Sequence, residues 1–114
     1  MVLIRLTILI FFISVIISDD FTNVRVLDIK SRSEMKRYMK SISKDLGVKC
    51  SYCHDMDDKS LDNEHKEIAR EMIILTRQIN NLLNMDKDST DVKTVITCWT
   101  CHKGDAHVQT ERPK

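Results

Sequence analysis

The sequence predicts a small, mostly α single domain that uses one unit twice: a helix with methionine on its apolar face, a turn or connection, and Cys-x-x-Cys-His. Three observations carry that expectation. Cys50-Ser51-Tyr52-Cys53-His54 and Cys98-Trp99-Thr100-Cys101-His102 share one spacing and contain all four cysteines. Each is preceded by a stretch whose apolar residues recur at three-and-four spacing, the period of an amphipathic helix. The 48 positions from Cys50 to Cys98 fall in the range of structural repeats.

The spacing of the two pentapeptides is that of covalent haem attachment. Two thiols three positions apart on one turn can each add to a vinyl group of the same porphyrin, and the next residue, His, then lies under the iron as its proximal ligand. Cys50, Cys53 and His54 are thus candidates to hold one haem c, and Cys98, Cys101 and His102 a second. Paired Cys-x-x-Cys could instead hold a structural zinc, exchange disulfides or simply form them. None of these explains a His after the second Cys both times.

At the N-terminus, Arg5 precedes an apolar run from Leu6 to Ile17, followed by Ser18-Asp19-Asp20. This pattern predicts an export signal over residues 1–18, leaving a dihaem domain over 19–114 in the periplasm. The run is shorter than the roughly 20 apolar residues of a membrane span. Its end lacks the usual small-x-small cleavage pattern, so an uncleaved anchor, with membrane association, is the alternative. No cysteine follows directly to carry a lipid. Export agrees with haem attachment outside the cytoplasm and argues against a cytosolic zinc ribbon. Arg5 is the one charged residue before position 19, and the chain carries 18 Lys and Arg against 17 Asp and Glu. That balance offers no field for nucleic acid. Beyond the leader the aromatics are Phe21, Tyr38, Tyr52 and Trp99, few for a domain this size. A domain of about 100 residues buries only about two thirds of its unfolded surface, so two haems are expected to supply much of the core.

Along the chain, Val24 and Val26 alternate with Leu27 and Ile29, which allows a short extended lead-in or an irregular segment over a haem edge. Ser31 with Glu34 forms a capping box. The helix it opens carries Met35, Tyr38, Met39, Ile42 and Leu46 on one face, and Gly47 is placed to end it in a left-handed turn. Residues 55–62, with Asp55, Asp57, Asp58 and Asp62, read as a solvated connection rather than a metal loop. From about Asn63 a longer helix carries Ile68, Met72, Leu75, Ile79 and Leu82, with Glu64, Lys66, Glu67, Arg70, Glu71 and Arg77 on the wet side. Residues 86–91 read as a polar loop and 92–97 as a short β-branched stretch; the tail from Lys103 reads as loose.

The sixth iron position decides the chemistry, since an open site binds small molecules whereas Met or His closes it and leaves electron transfer. Met39 lies eleven residues before Cys50, but Met35 shares its face. Met72 lies on the helix before Cys98, with Met85, His65 and His107 as alternatives. Methionine on an apolar face is also ordinary core filler, so spacing leaves both choices open.

Longer stretches carry a resemblance: Asn23-Val24-Arg25-Val26-Leu27; Met39-Lys40-Ser41-Ile42-Ser43-Lys44-Asp45-Leu46-Gly47-Val48-Lys49 running into Cys50; Ala69-Arg70-Glu71-Met72 with Ile79-Asn80; and Val95-Ile96-Thr97 running through the second pentapeptide to Lys103-Gly104. Together they are similar to the haem-binding module of the cytochrome subunit of the photosynthetic reaction centre, a multihaem c-type family. In that family each haem lies along a helix whose Met is the sixth ligand, which implies Met39 for the first iron and Met72 for the second. The family's subunit carries four haems in two such modules. One module implies a stand-alone dihaem electron carrier rather than a part in photosynthesis.

The expected function is therefore electron transfer between redox partner proteins. No Ser/His/Asp or paired-carboxylate constellation points to bond-making catalysis. The rival reading is a small peroxidase-like or gas-binding haem protein with one open iron; a zinc-binding interaction module is the third.

Overall fold

The computed structural model describes residues 21–88, 91 and 93–112. The expected leader over residues 1–18 and the start of the domain at 19 lie outside these, as does Val92. Three helices are seen among the described residues: α1, Arg32–Leu46; α2, Glu64–Leu83; and α3, Cys98–His102. A 3-10 turn, Cys50–Tyr52, sits between α1 and α2. There is no strand among the described residues, and none of their helices is long and apolar enough to cross a membrane.

Local signals set the helix ends. Ser31 caps α1, its hydroxyl accepting from the Glu34 N–H at 3.5 Å. Gly47 closes α1 in the left-handed region at φ 65°. Its N–H donates to Lys44 O at 3.3 Å and the Val48 N–H to Ser43 O at 3.0 Å, the two bonds of a Schellman turn. Asn63 caps α2, accepting from the Lys66 N–H at 2.9 Å.

The two repeats leave their helices differently. Residues 47–49 lead from α1 directly into the first pentapeptide, whereas after α2 the chain turns back and runs antiparallel along it. Two asparagines of α2 hold this return. The Asn80 side-chain amide donates to Ile96 O at 2.8 Å and accepts from the Ile96 N–H at 2.7 Å. Asn84 does the same with Thr94, at 2.8 and 3.0 Å. Within the β-branched stretch, Thr94 and Ile96 thus pair with side-chain amides instead of another strand. The second pentapeptide then folds as α3 and packs on α1, and the Gly104 N–H donates to Asp45 O at 2.9 Å.

The lead-in is irregular, with Asn23 at φ 67°, and it is pinned to residues 60–62 and to α2 rather than paired as a strand. Asn23 Nδ2 donates to Ser60 O at 2.6 Å and to Asp62 Oδ1 at 2.8 Å. Arg25 reaches Asp62 at 2.8 Å, and Arg77 donates to Val26 O at 2.6 Å. At the centre lies Arg70, 8% exposed, paired with Asp62 at 2.8 Å and with Glu67. This corrects the wet-side placement of Arg70 and Lys66. The ammonium of Lys66 donates to the carbonyls of Lys59, Ser60 and Leu61 at 2.9–3.1 Å. Long cationic stems can lie against protein while their heads find partners, which helical periodicity does not register. Asp62 is correspondingly more than part of a solvated connection. Its bonds from Arg70 above all, and from Lys66 and Asn23, hold its carboxyl well below the usual carboxylate range.

Candidate haem-binding sites

Each pentapeptide closes a tight turn on its own first cysteine or the residue before it. In the first, the N–H groups of Cys53 and His54 both donate to Cys50 O, at 3.3 and 3.0 Å. In the second, the Thr100 N–H donates to Thr97 O at 3.1 Å while the Thr97 N–H donates back to Thr100 Oγ1 at 3.0 Å. All four cysteines are free thiols. Burial pushes the Cys53 thiol up, and burial followed by the nearby Asp45 carboxylate does the same for Cys98. Among the described residues no three His, Cys, Asp or Glu side chains gather as a metal-binding group, so the two pairs do not converge as a four-cysteine zinc site requires.

The two motif histidines are oriented alike. His54 Nδ1–H donates to Lys59 O at 3.3 Å and His102 Nδ1–H to Asp105 O at 2.9 Å. A carbonyl can only accept, so Nδ1 is the donor in each ring and Nε2 is the nitrogen left to face a metal. The loops that supply these carbonyls are themselves tied. Asp55 accepts from the N–H groups of Asp57 and Asp58 at 2.8 and 3.0 Å, and Asp58 accepts from the Ser60 N–H at 2.9 Å. After the second motif Asp105 accepts from the His107 N–H at 2.9 Å. The acidic residues act as turn formers here: the N–H groups of Asp58 and Asp57 hold the Asp55 carboxyl below the usual range, and the Ser60 hydroxyl, followed by its N–H, does the same for Asp58.

The apolar surfaces fit a large flat apolar group. Among the described residues no apolar side chain is fully buried. The α2 stripe stands open, with Ile68 47%, Met72 39% and Leu75 45% exposed. On α1, Met35, Met39, Ile42 and Leu46 are half-buried. Both helices also border a common cavity. Tyr38 and Ile42 of α1 and Ile73 and Thr76 of α2 line a cavity of about 300 Å³ that Ile96 and Cys98 also border. Burial raises the Tyr38 hydroxyl pKa, with Cys98 adding to the shift and Arg77 opposing it. The residues present thus fit covalent haem: thiols in pairs, oriented imidazoles and uncovered apolar faces.

Of the other candidate ligands, His65 lies against the first motif. Its ring stacks on Tyr52 with centroids 4.0 Å apart, and its Nδ1–H donates to Tyr52 O at 3.0 Å. Met85, 70% exposed, lies just beyond α2. Sequence reasoning missed Asn80, Asn84 and Asp62 as organisers of the site; a polar side chain every fourth residue on one helix face was the available signal for the asparagines.

Comparison with known proteins agrees with this chemistry. The family model described as Photosynthetic reaction centre cytochrome C subunit matches residues 14–111. The photosynthetic reaction center cytochrome c subunit of Rubrivivax gelatinosus is 31% identical over 86 residues, 74% of this chain and 22% of that protein. The subunit of the same name from Roseobacter denitrificans is 32% identical over 100 residues, 82% of this chain and 26% of that protein. Cytochrome c-554 of Chloroflexus aurantiacus is 34% identical over 87 residues, 70% of this chain and 20% of that protein. The chain spans about a quarter of the length of the relatives it matches. It belongs to the photosynthetic reaction centre cytochrome c subunit family of electron-transfer, c-type cytochromes.

Proposed function

We propose that the chain is an exported dihaem cytochrome c that passes electrons between redox partner proteins through two six-coordinate irons. His54 and Met39 would hold the first and His102 and Met72 the second. The observation that carries this reading is the matched pair of sites: in each, two free thiols on one turn and an imidazole whose Nδ1–H is bound to a loop carbonyl. Haem, when bound, supplies the redox couple. The chain attaches it by Cys50, Cys53, Cys98 and Cys101, orients the imidazoles, and covers it with apolar helix faces.

The antiparallel return supports Met72 for the second iron. Ile96 is paired with Asn80, and two extended residues further on Cys98 shares a cavity wall with Thr76 and Ile73. Met72 is one helical turn from Thr76, about 6 Å along the axis. His65, two further turns away, and Met85, beyond the other end of α2, are poorly matched to that level. For the first iron, Met39 lies on the helix leading through Gly47 into Cys50, on the face it shares with Leu46.

The test is a pyridine haemochrome count with intact mass on protein matured for export. Two covalent haems per chain are expected, and one in the double variant Cys50→Ala, Cys53→Ala. A wild-type count of one would remove the dihaem reading. A high-spin band in the wild-type spectrum would favour the rival with one open iron.

A further inference from the structure

We propose that Asn80 and Asn84 are positioning residues: their paired amides set the register of residues 94–96 on α2, and that register brings Met72 within reach of the second iron. This rests on the assignment of Met72 above.

The paired amides fix the return against a slip of one residue. Asn80 and Asn84 are four residues apart on a helix, about 6.0 Å along its axis. Thr94 and Ile96 are two residues apart in extended chain, about 6.7 Å. The spacings agree within about an ångström, so both amides can each make two bonds at once. The bonds are short, 2.7–3.0 Å, and they saturate both backbone groups of Thr94 and of Ile96. The two asparagines are also tied together, Asn84 Nδ2 donating to Asn80 O at 2.7 Å. A slip of one residue would present Val95, whose backbone groups point the other way. A slip of two would carry Cys98 about 6.7 Å along α2. Attachment at Cys98, two residues past Ile96, leaves a bound group little slack to absorb such a shift. The α2 helix would therefore carry both Met72 and the side chains that set where His102 stands. Gln has one methylene too many for the same bonds, and Asp keeps the acceptor but loses the donor.

The experiment uses the haem-loaded full chain. Asn80→Leu and Asn84→Leu, singly and together, are compared with Gln78→Ala on another face of α2. Three quantities are followed: amide exchange at Thr94 and Ile96, the near-infrared band of His/Met ferric iron, and the potential of each haem. The ladder variants should speed exchange at both amides by about tenfold or more, the effect of roughly one lost hydrogen bond. They should also weaken the band by about half as one of its two His/Met irons loses its thioether, and lower the second potential while the first holds. Should Asn80→Leu fail to mature, Asn80→Asp carries the same expectation at smaller amplitude. Faster exchange with band and second potential at wild-type values would overturn the proposal, as would an equal change at both haems. A wild-type protein without a second His/Met signature would instead remove the Met72 assignment beneath it, a failure visible before any ladder variant is made.

Discussion

Gly47 and Gly104 meet backbone to backbone: a Cβ on Gly47 would stand 2.0 Å from Gly104 O. Gly47 ends the helix three residues before Cys50, and Gly104 follows His102 by two. Their contact, with the bond from the Gly104 N–H to Asp45 O, ties the start of the first motif to the end of the second. Both residues also have positive φ, 65° and 88°.

Gly47→Ala should therefore be the more damaging of the two alanine substitutions. The left-handed backbone alone costs a side chain about 1–2 kcal/mol, and here the Cβ also meets a carbonyl that cannot swing aside. A Cβ on Gly104 would meet the Trp99 ring at 3.3 Å, and a half-exposed indole can yield. Denaturant midpoints of the haem-loaded variants check the order; equal or reversed losses would count against the backbone contact.

Met39→Ala is expected to open the first iron, giving high-spin character, carbon monoxide binding in the ferrous form and a lower potential. Met35→Ala should leave the spectrum unchanged. Met35 is half-buried, so its loss should cost less than the roughly 2–5 kcal/mol of a fully buried methionine. A spectrum altered by Met35→Ala and not by Met39→Ala would reverse the assignment.

Met72→His should keep the second haem low-spin and lower mainly its potential, because a thioether raises the potential relative to a second imidazole. Spectroelectrochemical titration resolves the two haems. If Met72→Ala left the near-infrared band intact, His65 and His107 would be the next residues to replace.

Asp62 makes stability depend on pH at the acid end. Its carboxyl ionises well below the ordinary Asp value of about 3.9, chiefly because Arg70 donates to it. A lowered folded-state pKa means the folded chain holds its proton less tightly than the unfolded one. The stabilisation is complete above about pH 4 and is lost as the pH falls toward the folded-state value. Asp62→Asn should be less stable than wild type at neutral pH, partly because Arg70 keeps its burial and loses one of its two anions. The gap should narrow below about pH 4. A gap independent of pH down to strong acid would show that charge at Asp62 plays no part.

The sequence by itself determined the local features. A side chain two or three residues away decides a helix cap, as at Ser31 and Asn63, and backbone sterics decide the left-handed stop at Gly47. The chemistry of Cys-x-x-Cys-His is local too, since both thiols and the imidazole lie on one turn. The tertiary structure decided everything that needs partners distant along the chain. Arg70 reads as a solvent-facing cation until Asp62 and the carbonyl of Asn23, 47 residues away, are seen around it. Asn80 and Asn84 look like polar surface until Ile96 and Thr94 lie against them. The contact of Gly47 with Gly104 joins residues 57 positions apart. The physical reason is the same each time. A polar group's burial depends on whether a donor or acceptor reaches it, and that is fixed by where the chain returns, which helical periodicity does not encode.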